Sequence, residues 1–247
     1  MISPDVCKAI KAESYKFKKQ INKEPDNHRV LVVGDLHLPF THENYLGFCK
    51  RIYKQYKCNK VVFIGDIIDN HYTSYHETDP DGMSAGGELD LCIDKLRDWY
   101  KLFPKADVVL GNHGRMAYRK AMSGGISKQW IREFKDVLHV PKWNFKEDIE
   151  IDGVLYVHGE GRQAQTRAKN ELVKVVQGHY HTKLGVNYFV GQNYIVFAMS
   201  VGCGIDRKSY AMAYGKHFAK PALGCGVVIN GELAIPIPMV LGRKFEC

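Results

Sequence analysis

Apolar residues along this chain fall in short β-like runs that alternate with stretches of helical spacing, as far as about residue 182. Residues 29–33, 61–64, 106–110, 154–157 and 173–177 are runs rich in Val, Leu and Ile, the pattern of strands buried on both faces. Between them, residues 43–57 place Leu46, Cys49, Ile52, Tyr53 and Tyr56 on one helical face, and 88–102 keep helical spacing until Pro104. Residues 115–135 read as a helix in two pieces broken at Ser123-Gly124-Gly125, and 162–172 as another helix. Beyond 184 the pattern changes to strands separated by Gly turns, with candidates at 194–199, 225–229 and 232–235. Asp152-Gly153 and Asn230-Gly231 are hairpin turns. Residues 4–24 read as a basic helix, and 71–87 as a long polar loop. The resulting layout is a helical arm over 1–27 and one domain over 28–247, with alternating elements over 30–182 and a β-rich part over 184–247. Trp99, Trp130 and Trp143 stand at apolar positions and are expected in the core.

Composition changes this picture little. At 247 residues, 45% of them apolar and 25% charged, the chain suits a globular α/β domain. No apolar run approaches the roughly 20 residues that span a bilayer, and the first 19 residues contain no signal-peptide core. A cytoplasmic location without membrane association is expected. The seven Cys are scattered, odd in number and without a Cys-x-x-Cys pair. That argues against a disulfide framework, a disulfide-linked partner and a zinc ribbon. The net charge of +8 is compatible with an anionic partner such as DNA or RNA, or simply with a solvated basic surface.

Chemistry enters where the strands end. Five β-like runs stop at or beside Gly with a hard or imidazole ligand at that point: Asp35 with His37, Asp66, Asn112 with His113, His158, and His179 with His181. Alone, Asp66 is more readily a turn cap than a metal ligand. Five such ends converging on one edge of a sheet favour a binding site. Carboxylate, amide and imidazole donors without thiolate suit Mn²⁺, Fe or Zn²⁺. A pair of ions would need a shared anion, and Asp66 is the natural bridge.

The blocks Gly34-Asp35-Leu36-His37, Gly65-Asp66-Ile67-Ile68-Asp69, Gly111-Asn112-His113, Val157-His158-Gly159 and Gly178-His179-Tyr180-His181 resemble, in order, those of the calcineurin-like metallophosphoesterases. The layout is similar to that of bacterial and bacteriophage members. The resemblance implies a four-layer α/β sandwich of two mixed β-sheets flanked by helices, with the C-terminal strands completing the second sheet. It implies two divalent ions, Mn²⁺ foremost, with Fe, Zn²⁺, Ni²⁺ or Mg²⁺ as alternatives. Asp35, His37, Asp66 and His181 would hold one, and Asp66, Asn112, His158 and His179 the other. A hydroxide bridging the ions would attack phosphorus in line, with His113 beside the leaving oxygen and Asp69 orienting a ligand histidine.

One position departs from the family. The residue after His113 is usually acidic, and here it is Gly114, followed by Arg115. Asp69, Glu77 or Glu160 could orient His113 instead. Arg115, Asn70, His71 and Arg162 are candidate substrate contacts. Asn70 and His71 stand where phosphoprotein phosphatases of the family carry Arg, which favours phosphodiesters of nucleic acid or nucleotides. The alternatives are a phosphomonoesterase and a binding module that keeps the metal site without catalysis.

Overall fold

The computed structural model describes residues 27–74, 81–209 and 220–241. The expected helix over 4–24 lies outside them, as do Tyr75, His76, Glu77 and His217.

The first sheet is built from β1 (Arg29–Val33), β2 (Lys60–Phe63), β3 (Ala106–Val109) and β4 (Trp143–Lys146), all parallel neighbours. Alternate residues of β1 face opposite ways, as a pleated strand requires. Leu31 and Val33 pack under α1 (Tyr45–Gln55) and α2 (Ala85–Leu102), whereas Val30 and Val32 face the second sheet. Phe63 anchors the helix side, with its ring 4.5 Å from Trp143 and 5.8 Å from Trp99. The indole of Trp143 donates to the Phe103 carbonyl at 2.8 Å, so its buried N–H is satisfied.

The second sheet runs in the order β5 (Asp148–Ile151), β6 (Val154–Val157), β7 (Lys174–Gln177), β9 (Ile195–Val201) and β8 (Leu184–Val190). Its inner face carries Val154, Tyr156, Val176, Phe197 and Met199. Its outer face packs Val175 and Ala198 against Ala164 and Ala168 of α5 (Ala164–Glu171). Helix, sheet, sheet and helix therefore stack as four layers. Both sheets mix parallel and antiparallel pairs.

Four expectations need correction. The last strands, β10 (Gly224–Ile229) and β11 (Leu233–Pro238), extend the first sheet rather than completing the second. β10 lies antiparallel on the open edge of β1, from Arg29 opposite Ile229 to Val33 opposite Cys225. β4 and β8 form at sheet edges, where no strong period marks the sequence. α2 starts at Ala85, ahead of its unfavourable Gly86-Gly87, because the Ser84 hydroxyl caps it by accepting from Gly87 N at 3.1 Å. Finally, helix α3 spans Asn112–Ser123, but beyond Gly125 only a 3₁₀ turn over Lys128–Trp130 and the single turn α4 (Phe134–Val137) follow. Trp130 is 85% exposed there, not core. The hairpin turns form as expected, with positive φ at Asp152, Gly153, Asn230 and Gly231. Among the described residues no helix is long and apolar enough to cross a membrane.

Candidate metal centre

The C-terminal ends of β1, β2 and β3 are neighbours in one sheet, and those of β6 and β7 in the other. Each strand runs parallel to its neighbour in that set, so all five ends reach one edge of the sandwich. The turns there are unusual. His37, Asp66 and His179 adopt φ of 50°, 31° and 63°, a region side-chain-bearing residues seldom enter. Hydrogen bonds hold them. His37 N donates to Asp66 O at 2.9 Å, His113 N to Asp66 Oδ1 at 2.9 Å, and His179 N to Asp35 Oδ2 at 2.7 Å. Glycine is required beside them: a Cβ on Gly65 (φ +135°) would lie 2.1 Å from His158 Nδ1, and one on Gly111 2.1 Å from Asp66 Oδ1.

Seven side chains meet in this pocket as two groups joined at Asp66. In the first, His37 Nε2 lies 3.0 Å from His181 Nε2 and 3.8 Å from Asp66 Oδ2, and His181 Nε2 lies 3.4 Å from Asp35 Oδ2. In the second, His158 Nε2 lies 3.1 Å from Asp66 Oδ2 and 2.8 Å from Asn112 Oδ1. His179 Nδ1 completes that group, 3.1 Å from Asn112 Oδ1. Donor atoms around one ion at about 2.0–2.2 Å fall roughly 3–3.5 Å apart, so both groups have metal-ligand spacing. Asp35 Oδ1 is buried without a hydrogen-bond partner in the structure. A buried carboxylate oxygen left so costs free energy unless a cation answers it. The residues present fit a hard or borderline divalent ion.

Tautomers are set from behind. His37 Nδ1–H donates to Asp69 Oδ1 at 2.6 Å and His158 Nδ1–H to the Ile64 carbonyl at 3.2 Å, which turns both Nε2 atoms inward. His113 Nδ1–H donates to the Asp69 backbone carbonyl, while the Asp69 carboxylate stands 3.8 Å away. Asp69 thus supports both His37 and His113. Glu160 is engaged elsewhere.

Electrostatics follow from burial. Burial raises the Asp66 carboxyl pKa, but His158, His113 and His37 outweigh it and hold Asp66 well below the usual range. Asp35 is lowered too, with His158 and His181 overcoming its burial. Burial alone would depress His158, yet Asp66 and Asp35 push it up to about 9. His179 is lowered, first by burial and then by cationic His158. The open side of the cluster is formed by His181 and His113, whose side chains are 23% and 18% exposed.

The remaining candidates stand apart from the donor cluster. Arg115 is clamped between Glu147 and Glu160. Arg162 pairs with Glu171 at 3.3 Å on the surface. Asn70 donates from Nδ2 to the His113 carbonyl at 2.8 Å, buttressing the start of α3. His71 is buried, with its backbone N–H bound to Glu88 Oε1 at 2.9 Å.

Three supporting residues carry no signal in the sequence pattern. Glu88 receives the His71 and Tyr72 amides and pins the loop after Asp69. Gln177 Nε2 donates to the carbonyls of Gly159 and Arg162, each at 2.9 Å, fixing the loop after His158. Tyr45 takes the Gly34 amide at 3.1 Å and donates to Gly224 O at 2.6 Å, locking the approach to Asp35. Each is a long-range contact that no local spacing announces.

Similar solved structures include a metallophosphoesterase from Sphaerobacter thermophilus (13% identity, 87% of this chain and 89% of that chain, TM-score 0.45). Others are a Vps29 from Cryptosporidium parvum (13%, 82% and 86%, TM-score 0.42) and a nuclease from Pseudomonas putida (15%, 84% and 87%, TM-score 0.39). No curated protein matches the sequence. The sequence model of the calcineurin-like phosphoesterases matches residues 28–201, which contain all seven clustered donors, and the chain belongs to that family.

Proposed function

We propose that this protein is a phosphodiesterase with two divalent ions, acting on nucleic acid or nucleotides. The observation that carries the reading is Asp66, a single buried carboxylate shared by two sets of donors. Asp35, His37, Asp66 and His181 would hold one ion, and Asp66, Asn112, His158 and His179 the other, with Mn²⁺ the expected metal. Bound there, such ions acidify water and neutralise charge on phosphoryl oxygens. The chain's own residues do the rest. Asp69 holds His37 in its ligating tautomer. His113, with Nδ1–H committed to the Asp69 carbonyl, presents Nε2 on the open side, where it can hold a proton at the leaving oxygen.

A diester is favoured over a monoester. A monoester dianion calls for an extra cation at the phosphate, usually Arg. Both arginines considered for that task are already paired with glutamates. The net charge of +8 suits a polyanionic substrate.

The test is hydrolysis of bis(4-nitrophenyl) phosphate by metal-free protein reloaded with Mn²⁺, beside 4-nitrophenyl phosphate. Turnover of the diester is expected, lost on chelation and reduced about 1,000-fold or more in Asp66→Asn. Preferential cleavage of the monoester would replace this reading with the phosphatase one. Stoichiometric metal binding without turnover of either would leave the binding module.

A further inference from the structure

We infer that the cavity walled by α3 binds a nucleotide unit of a single-stranded nucleic acid substrate whose scissile phosphate sits at the metal centre. The inference rests on the phosphodiesterase reading for its link to catalysis. The cavity is about 720 Å³, within the roughly 300–1,000 Å³ of ligand pockets. Its floor is aromatic. Phe134 stacks on Phe145 with ring centres 5.8 Å apart and meets Tyr118 edge-on at 5.0 Å.

Its walls are basic. The two glutamates in the lining are answered locally, Glu133 by Lys135 at 2.7 Å and Glu147 by Arg115. Lys128 and Lys142 then leave the cavity cationic, with Lys128 Nζ 5.5 Å above the Tyr118 ring. Aromatic faces inside a cationic groove are what single-stranded nucleic acid uses, bases stacking and phosphates pairing. The 3₁₀ turn that carries Lys128 also carries Trp130, and Met122 and Ile126 are exposed just before it. Exposed apolar side chains in such density mark a contact surface.

The cavity and the metal centre share structure. α3 supplies Asn112 and His113 from its first turn and Arg115, Tyr118 and Arg119 to the cavity wall. Leu110, Phe134 and Phe145 also line a small void of about 20 Å³ bounded by Asp66 and Gly111. Gly114 fits this arrangement. A Cβ there would lie 3.6 Å from the Phe134 ring, so the acid common at this position in the family would bring a carboxylate to the aromatic floor.

The experiment measures binding of a fluorescein-labelled single-stranded DNA of about eight nucleotides to the full chain in EDTA, by anisotropy across a salt series. Lys128→Gln with Lys142→Gln is expected to weaken binding about tenfold and to flatten the log–log salt slope by about 1.4, two contacts at roughly 0.7 each. Phe134→Leu, which keeps an apolar floor, is expected to weaken binding about tenfold with the slope unchanged. Thermal melting checks that each variant is folded, and the single Lys→Gln variants at the surface stand in should the double variant not fold. Wild-type protein that does not bind, or variants whose affinity and slope match wild type, overturn the inference. Turnover of bis(4-nitrophenyl) phosphate without DNA binding removes the cavity and leaves the phosphodiesterase reading. Lysine-dependent DNA binding without turnover does the reverse.

Discussion

The strand-end cluster and the cavity walled by α3 both take residues from that helix and are built from opposite materials. Asp35, Asp66 and His158 are 0%, 2% and 3% exposed, and their charges are balanced within a few ångströms. Lys128 and Lys142 line a cavity open to water. Buried charges are strongly coupled and little screened, so removing one partner disturbs all of them. Cations at a surface act singly, and each contributes little. The cluster should therefore respond steeply to single changes and weakly to salt, and the cavity the other way round.

The largest effect is expected from Gly65→Ala. The new Cβ would overlap the His158 ring, at a φ of +135° that only Gly adopts readily. A loss of about 3 kcal/mol or more follows from such strain and overlap. Thermal melting should show a Tm lower by roughly 6–12 °C. A melting curve like wild type would mean the ring has room to withdraw, and the cluster is looser than described.

Asp69→Asn comes next. It replaces the charged acceptor that fixes His37 with a neutral amide, and metal affinity should fall about 10–100-fold. A chelator competition measures this, and oligonucleotide binding in EDTA serves as the unaffected control. Equal losses in both assays would erase the distinction between the two regions.

The third prediction is pH dependence. In the metal-free protein His158 titrates near 9, so at neutral pH a cation must displace its proton. Metal affinity should rise about tenfold per pH unit from 7 to 9 and then level off. The sign reverses for the metal-free fold. A raised histidine pKa stabilises it fully below the unfolded value near 6.5, and that contribution is lost as pH rises through about 9. Flat metal affinity over this range would show that His158 is neutral before metal arrives. The smallest effect belongs to Gly114→Asp, which should weaken oligonucleotide binding about threefold with metal content unchanged.

Much of the cluster was legible in the sequence because its residues follow buried strands, and buried strands announce themselves. Runs such as 29–33 and 61–64 are too apolar to be anything but interior, and Gly next to Asp or His marks where each one stops. The cavity had no such marker. Tyr118, Lys128 and Phe134 come from a helix face, a 3₁₀ turn and a single helical turn, where polar and aromatic residues mix without a period. Trp130 was misplaced for that reason: local hydrophobicity says core, and only the surrounding chain shows that nothing covers it.

Sequence alone therefore determined the strand set of the first sheet's centre, the hairpin turns at Asp152-Gly153 and Asn230-Gly231, the family, and the seven donors as candidates. All of these depend on covalent order and short-range periodicity. The tertiary structure decided that β10 and β11 join the first sheet, that Asp69 serves both His37 and His113, and that Glu88, Gln177 and Tyr45 brace the loops. These are pairings across 11 to 179 positions of chain, such as Tyr45 with Gly34 and with Gly224. Such contacts are chosen by which surfaces pack best once the sheets form, and no local pattern encodes that choice.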